Sequence, residues 1–345
     1  MINYQLPVWN GVKEKQIGVV DNLLIDYSLD KGVYKQKKKR IVEYEKDYEH
    51  MTPLKGSKYI ERLRKGKIDW ILDYSKNYNS ILEIGGGDSF NYRFLDCNKY
   101  TIIDPAINQE HKDNKLNLIS DYFENVKLNS KYNLILLLSV LEHVDDPNLI
   151  LEKSENVLDK DGVIFIYIPI IDNQFALGDF NALIHEHLNY FTFIGAKNFF
   201  AKHNLIIDGY YQENDGGFFR LVKGECKIND FSNYDLNKVS YTFDYQFNSF
   251  LDLINSEEKI LFYGATNGLN NLFQLAKVVT HIDFEKYRIT DSDNNKWGKF
   301  ISSHPLPILP VETLTNYKTI CISANSYYRE IVASLPKDKI IISTV

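Results

Sequence analysis

Ile81-Leu82-Glu83-Ile84-Gly85-Gly86-Gly87-Asp88, followed by a second apolar run ending Ile103-Asp104-Pro105, decides the fold of this chain. An apolar strand that runs into a glycine turn, with a carboxylate closing the next strand, is how an open α/β sheet holds a nucleoside. Glycine at the turn lets the backbone pass close to a ligand, because no Cβ intrudes. A carboxylate at Asp104 can accept hydrogen bonds from both ribose hydroxyls.

The spacing argues against a dinucleotide. That fingerprint needs Gly-x-Gly-x-x-Gly, whose third glycine lets the helix pack closely enough for pyrophosphate to sit at its N-terminus. Here Phe90 stands in the third position, and Asp88 would turn negative charge toward a diphosphate. A ligand without phosphates suits the loop better. Glu83, Gly85, Gly86, Gly87 and Asp88 resemble the first motif of class I S-adenosylmethionine (SAM) methyltransferases, whose ligand is a nucleoside joined to a cationic amino acid.

The chain has 345 residues, enough for two domains of ordinary size. Its 44% hydrophobic and 14% aromatic content supports a sizeable core, and its net charge of −6 disfavours nucleic acid as a partner. The basic run Lys35–Arg40 is expected to be a solvated face. Cys97, Cys226 and Cys321 are odd in number and far apart, which argues against a disulfide framework and a cysteine zinc site. The first residues lack the charged and apolar regions of a signal peptide, and the longest apolar runs are too short to span a bilayer. A cytoplasmic protein with no membrane insertion is expected.

Residues 1–56 are polar, tyrosine-rich and weakly patterned, and helical spacing of Ile60, Leu63, Ile68, Ile71 and Leu72 predicts a lead-in helix. Strands are expected at 80–84, 100–103, 132–138 and 163–169, with helices at 89–95, 147–157 and 194–203. Their alternation predicts a doubly wound parallel sheet. Strands near 205–211 and 218–223 would form a closing antiparallel edge. A helical stretch from Leu236 to Ile254 precedes a second cycle, in which Ile260–Tyr263 meets Gly264–Gly268 and a later strand ends at Asp291. The expected organisation is an N-terminal extension (1–78), a nucleoside-binding α/β domain (79–225), a helical linker (226–256) and a smaller Rossmann-like substrate domain (257–345).

Functional residues of open α/β sheets lie at the carboxyl ends of strands. The strand Tyr132–Leu138 therefore brings Ser139, Leu141, Glu142 and His143 beside the ligand. Coupled to the glycine turn and Asp104, they resemble the fourth methyltransferase motif, which covers the methionine side of SAM. A second constellation is His185-Glu186-His187. Zinc helices space their histidines four apart, whereas these are two apart, and no third ligand cluster is evident. A polar loop with satisfied histidines is the bland alternative. Acid–base chemistry is the third, because imidazole titrates near neutrality and a neighbouring carboxylate raises its basicity.

Taken in order, these features resemble the sugar C-methyltransferase family, which methylates nucleotide-linked keto sugars. The resemblance rests on Leu82–Gly85, Asp104-Pro105-Ala106, His185–Phe191, Gly216-Gly217-Phe218-Phe219-Arg220, Tyr263-Gly264-Ala265, Asp291 with Lys296–Lys299, and Pro305–Ile308, and it covers roughly residues 58–345. It implies a class I SAM methyltransferase domain followed by a second, smaller Rossmann-like domain, with SAM as cofactor and a sugar or sugar nucleotide as substrate. The family's N-terminal cysteine zinc module is absent. Its tyrosine before the His-Glu-His segment is Ile184 here, and its histidine before the Gly-Gly edge is Asp215.

The resemblance implies His187 as general base, with Glu186 and His185 orienting it or holding acceptor hydroxyls; the spacing of the histidines leads to the expectation of no metal. Pro105 joins the donor site. Tyr44, Tyr48, Tyr190, Asp215 and Arg220 are candidates for the acceptor pocket, and Gly264, Thr266, Asn267, Asp291 and Asn325 for the substrate handle. The changes at Ile184 and Asp215 also raise O-methylation of a surface-glycan precursor. A non-catalytic SAM-binding protein of a glycan-assembly complex is the alternative outside enzymology.

Overall fold

The computed structural model describes residues 1–9, 11–15, 18–30, 32–37, 58–74, 78–107, 113–213, 216–226, 236–256 and 258–345. Among them the strands form three sheets. The largest has seven strands: β4 (Tyr78–Ile84), β5 (Cys97–Ile103), β6 (Leu116–Ile119), β7 (Tyr132–Leu138), β8 (Leu158–Pro169), β10 (Leu205–Glu213) and β11 (Gly216–Lys223). Their order is β10-β11-β8-β7-β4-β5-β6. Strands β4 to β8 pair in parallel, as the near-continuous apolar runs require of strands covered on both faces. Strand β11 runs antiparallel to both β8 and β10. The two strands expected to close the sheet as an antiparallel edge do so, with β10 outermost.

Strand β4 lies between β5, which follows it, and β7, which is reached only after β5 and β6. The chain reverses direction across the sheet there, so the crevice beyond the carboxyl end of β4 is the topological switch point. Helix α1 (Lys58–Tyr74) covers one face with Ile68 and Ile71. Helices α2 (Pro147–Val157) and α4 (Phe193–Lys202), separated in sequence by the short α3 (Asp172–Leu177), pack Ile150, Leu151, Phe199 and Phe200 on the other. Each has a side-chain cap: Asp146 accepts from Asn148 N–H, and Thr192 accepts from Gly195 N–H.

The helix expected at 89–95 is a single 3₁₀ turn, Asn91–Arg93. Ser89 is left-handed (φ +53°), which interrupts a helix before its first turn, and Asn91 points inward to Glu83. Residues 1–37 hold structure that the sequence did not announce. Strands β1 (Ile2–Pro7), β2 (Val20–Asp30) and β3 (Val33–Gln36) form an antiparallel sheet completed by β9 (Asn189–Phe191), which starts two residues after His187.

The C-terminal lobe is a parallel sheet, β13 (Tyr287–Thr290), β12 (Ile260–Tyr263), β14 (Thr319–Ile322) and β15 (Ile340–Ser343), as the second cycle predicted. It is joined by helices α5 (Leu236–Ile254), α6 (Asn267–Val279) and α7 (Tyr328–Ser334). Ile2, Leu23, Phe180, Leu183, Phe243, Leu269 and Ile301 share one hydrophobic cluster. The N-terminal strands, the segment before His187 and the C-terminal lobe are therefore built around a common core. Among the described residues no helix is long and apolar enough to cross a membrane.

Candidate active site

At the switch point a pocket is lined by Ile84, Gly85, Ile103, Asp104, Pro105, Tyr122, Phe123, Glu124, Ser139, Val140, His143, Val144 and Ile150. Gly85 is left-handed (φ +77°), and a Cβ there would meet Val140 Cγ2 at 2.7 Å. Gly87 N–H donates to Asp104 Oδ2 at 2.9 Å, and Ala106 N–H donates to Oδ1 at 2.7 Å. An ionised carboxylate offers about four lone-pair sites, so two stay available for hydroxyls. Burial pushes the Asp104 carboxyl up from its usual range, against the lowering by the Ala106 and Gly87 amides. Ser139, also left-handed (φ +62°), turns the chain at the end of β7. Apolar walls for a base, a carboxylate for a ribose and a cradle that a Cβ would fill match what a phosphate-free nucleoside requires. SAM fits this donor set.

Tyr122, Phe123 and Glu124 were missed from sequence. They follow β6, whose four residues alternate too briefly to stand out. The loop is fixed from below by Lys153 of α2, whose Nζ donates to the carbonyls of Phe123, Glu124 and Val126.

Other expected donor residues lie behind the pocket. Glu83 accepts from Asn91 Nδ2 and Tyr100 OH and packs under Gly86, so it supports the turn rather than lining the pocket. Burial pushes its carboxyl up to about 7. Because this lies above the unfolded value near 4.5, the stability that Glu83 contributes is full below about pH 4.5 and is lost as pH rises through about 7. Glu83→Gln is expected to flatten the pH dependence of the melting temperature between pH 5 and 8, measured by thermal denaturation. Leu141 is fully buried in the core.

Asp88 forms a two-point pair with Arg64 of α1 at 2.6 and 2.8 Å, and the Arg64 guanidinium lies 4.0 Å from the centroid of Phe90. The carboxylate thus pins α1 to the glycine turn. Asp88→Asn is expected to cost about 1–3 kcal/mol of stability while SAM affinity changes less than twofold, by calorimetry and isothermal titration.

A second pocket, of about 200 Å³, adjoins the carboxyl end of β8. That is several times the ~30 Å³ share of a water molecule, so it suits a small organic ligand. Its lining includes Lys67, Tyr167, Gln174, Asn181, Ile184, His187, Phe218, Ser326 and Tyr327, drawn from the α/β domain, the segment before β9 and the C-terminal lobe. Gly216 also lines it. The ring of Tyr167 lies where a Cβ on Gly216 would be, 2.1 Å from ring carbon Cε2. The Lys67 ammonium sits 3.4 Å from the Tyr167 ring centroid.

His185-Glu186-His187 is neither helix nor strand. His187 N–H donates to the Ile184 carbonyl, closing a turn that sends the two imidazoles to different places. His187 faces the second pocket. His185 is buried, with Nε2 3.2 Å from the Asp21 carbonyl on β2, so it anchors the N-terminal sheet rather than joining the cleft. Glu186 is buried, its carboxyl pushed up to about 7 by desolvation. His187 packs edge-on against His143, ring centroids 5.0 Å apart, and His143 lines the nucleoside pocket. His143 Nδ1 is 3.0 Å from the Glu186 carbonyl, which makes Nδ1 the protonated nitrogen. Burial, with His143 adding, holds the His187 imidazole well below its ordinary value.

Glu142 is buried beside the two histidines, its carboxyl pushed up to about 8 by burial. Ligand atoms of Glu142, His143 and His187 lie within 4.8 Å of one another, and Glu142 Oε1 is 3.8 Å from His143 Nε2. Among the described residues this is the group that could hold an ion.

Several acceptor candidates are used elsewhere. Tyr190 is buried and its hydroxyl donates to the Ile184 carbonyl, so it supports the turn from the core. Arg220 pairs with Asp208 at 3.0 Å on the sheet edge and stacks over Tyr74. Asp291 accepts from Ala265 N–H, Asp293 N–H and Lys296 Nζ within the C-terminal lobe. Gly264 is left-handed (φ +113°) and abuts Ala324. Thr266 caps α6 by accepting from Leu269 N–H. Asn267 donates to the Leu183 carbonyl, and Asn325 accepts from Ser343 and Thr344. Ser326 and Tyr327, the next two residues, are the ones in the cleft. Tyr44, Tyr48, Asp215 and the end of the basic run lie outside the described residues.

Residues 57–206 match the family model Methyltransf_23, described as a methyltransferase domain. Together with the sheet order and the pocket, the match supports a class I SAM-dependent methyltransferase domain over residues 57–206. The comparison with curated proteins finds no match.

Similar solved structures include the N-methyltransferase NodS from Bradyrhizobium japonicum WM9, at 16% identity and TM-score 0.38, covering 49% of this chain and 99% of that one. They also include CalO1, a methyltransferase in calicheamicin biosynthesis, in an S-adenosylhomocysteine-bound form, at 13% identity and TM-score 0.37, covering 48% and 56%. A third is the O-methyltransferase NcsB1 from neocarzinostatin biosynthesis, in complex with SAM and a naphthoic acid, at 14% identity and TM-score 0.35, covering 42% and 49%. The chain thus spans about half the length of the last two.

Proposed function

We propose that the enzyme methylates a sugar, nucleotide-linked, at a carbon next to a carbonyl, with His187 as general base. The observation that carries this reading is the contact between His187, which lines the second pocket, and His143, which lines the first. The two rings close the seam between donor and acceptor.

Asp104 and the Gly85–Gly87 turn would hold the nucleoside of SAM, and Ser139, Val140 and His143 would face the rest of it. Bound SAM supplies an electrophilic methyl on a sulfonium centre. The protein's task is then to position the acceptor, keep water out and take a proton. His187 is kept neutral by its surroundings, so its free nitrogen is ready to accept a proton at physiological pH. It removes the hydrogen beside the carbonyl, and the resulting enolate carbon becomes the nucleophile. Lys67, Gln174, Ser326 and Tyr327 offer polar partners to the rest of the acceptor.

Ile184 favours a second reading. Where the family carries tyrosine, an aliphatic side chain lines the cleft and offers no hydroxyl to a carbonyl or enolate oxygen. Under that reading His187 deprotonates a sugar hydroxyl and the product is an O-methyl ether. Deuterium exchange separates the two. In D₂O without methyl donor, the C-methylating enzyme exchanges the hydrogen beside the carbonyl of a nucleotide-linked keto sugar, followed by proton NMR. An O-methylating enzyme leaves that hydrogen in place.

A further inference from the structure

Helix α6 begins Asn267-Gly268-Leu269-Asn270-Asn271, and all five residues are buried. Asparagine is a poor helix former, and a buried amide is costly unless hydrogen-bonded. Three of them in one helical turn need a cause. Asn270 is held inside its own lobe, bonded to Ser302 and accepting from Ser303 N–H. The other two reach out of it. Asn267 Nδ2 donates to the Leu183 carbonyl at 2.9 Å, and Asn271 Nδ2 donates to the Phe180 and Leu183 carbonyls, each at 3.0 Å. Phe180 opens a 3₁₀ turn, Phe180–Ala182, in which its carbonyl also accepts from Leu183 N–H, whereas Leu183 lies just beyond that turn and outside any ladder.

Asn181 completes the contact from the opposite side. Its Oδ1 accepts from Gly268 N–H at 2.8 Å, and its Nδ2 donates to the Ser323 carbonyl at 3.1 Å. Gly268 is required by this approach, because a Cβ there would lie 2.7 Å from Asn181 Cγ. The glycine turn of the C-terminal lobe looked from sequence like a second nucleoside site. Its helix N-terminus is instead occupied by a carboxamide of the chain itself.

The segment so gripped, Phe180–Leu183, leads directly into Ile184 and His187. On its far side Gln36 of β3 is buried against the same turn, its amide nitrogen, in the orientation that satisfies it, 3.0 Å from the His185 and His187 carbonyls. The catalytic turn is thus held between the N-terminal sheet and α6.

We propose that Asn267, Asn271 and Asn181 are positioning residues of the methyl-transfer site, and that the C-terminal lobe acts by fixing the turn that carries His187 rather than by binding a nucleotide at its glycine loop. This rests on His187 as the base only for its kinetic consequence. The mechanical claim stands apart from it.

Two variants of the full chain test it: Asn271→Ala, and Gly268→Ala, whose added methyl displaces Asn181 without emptying the core. Three readouts apply. Isothermal titration should show SAM affinity within twofold of wild type. Histidine NMR titration, with His187 assigned by its absence in His187→Gln, should show its pKa returning toward the ordinary value as the turn loosens. With a thymidine-diphosphate 4-keto sugar as acceptor, kcat should fall 10-fold or more while KM changes less than threefold. Asn271→Asp, which keeps the size but loses the donor, should behave as Asn271→Ala.

Folded variants with an unchanged His187 titration and unchanged kcat would overturn the proposal. So would a defect confined to KM together with weaker binding of uridine diphosphate, because that would put a nucleotide at the glycine loop. If His187 is not the base, its NMR titration still shifts in these variants, whereas His187→Gln itself stays active, so the two failures are told apart.

Discussion

His187→Ala is expected to lower methyl transfer by about 10²–10⁴-fold, the range supplied by a positioned general base, while SAM affinity stays within twofold of wild type. The split follows from geometry. His187 lines the acceptor cleft, and the nucleoside pocket is bounded by His143 instead. Its pH signature has a definite sign. Burial and His143 lower the His187 pKa, so the imidazole is neutral, with one nitrogen unprotonated, through neutrality. Turnover should hold from pH 8 down past the ordinary histidine value near 6.5, and fall only in more acid solution where the ring protonates. Steady-state kcat against pH checks this. An acid limb centred above pH 7 would assign the base to another group.

Asp104→Ala is expected to weaken SAM binding by about 10–100-fold, which corresponds to loss of hydrogen bonds to a charged acceptor worth about 1.5–3 kcal/mol. Part of the loss is indirect, because the Gly87 and Ala106 amides lose their acceptor and the glycine turn is no longer tied to β5. Isothermal titration measures the affinity directly. At saturating SAM, turnover should recover to within a few-fold of wild type, since the proton-transfer machinery lies across the seam. Undiminished affinity would remove Asp104 from the ribose site.

The donor half of the site was legible because it is local. Strand, glycine turn and acid follow one another in sequence, and the carboxyl end of β7 is found by the same rule. Even there, chemistry was easier to recognise than direction. Glu83 and Asp88 have the right charge, yet Asn91, Tyr100 and Arg64, up to 24 residues away, draw them into support of the turn.

The second pocket, the proposed acceptor half, was harder to see, because Lys67, Tyr167, Phe218 and Tyr327 come from four separated elements with no shared spacing. A turn closed by one backbone hydrogen bond sends His185 and His187 apart, and periodicity carries no signal for that. The partner of the second glycine turn was hidden for a related reason. Its backbone has the expected form, but Asn181, which fills it, lies more than 80 residues earlier.

The most direct test of the account is incubation of the enzyme with methyl-¹³C SAM and a nucleotide-linked keto sugar, followed by carbon NMR of the product. The account predicts that the label appears as a methyl on the carbon next to the carbonyl, with S-adenosylhomocysteine released in equal amount, and that His187→Ala yields neither. Label that appears on oxygen, or product formed equally well without His187, would contradict it.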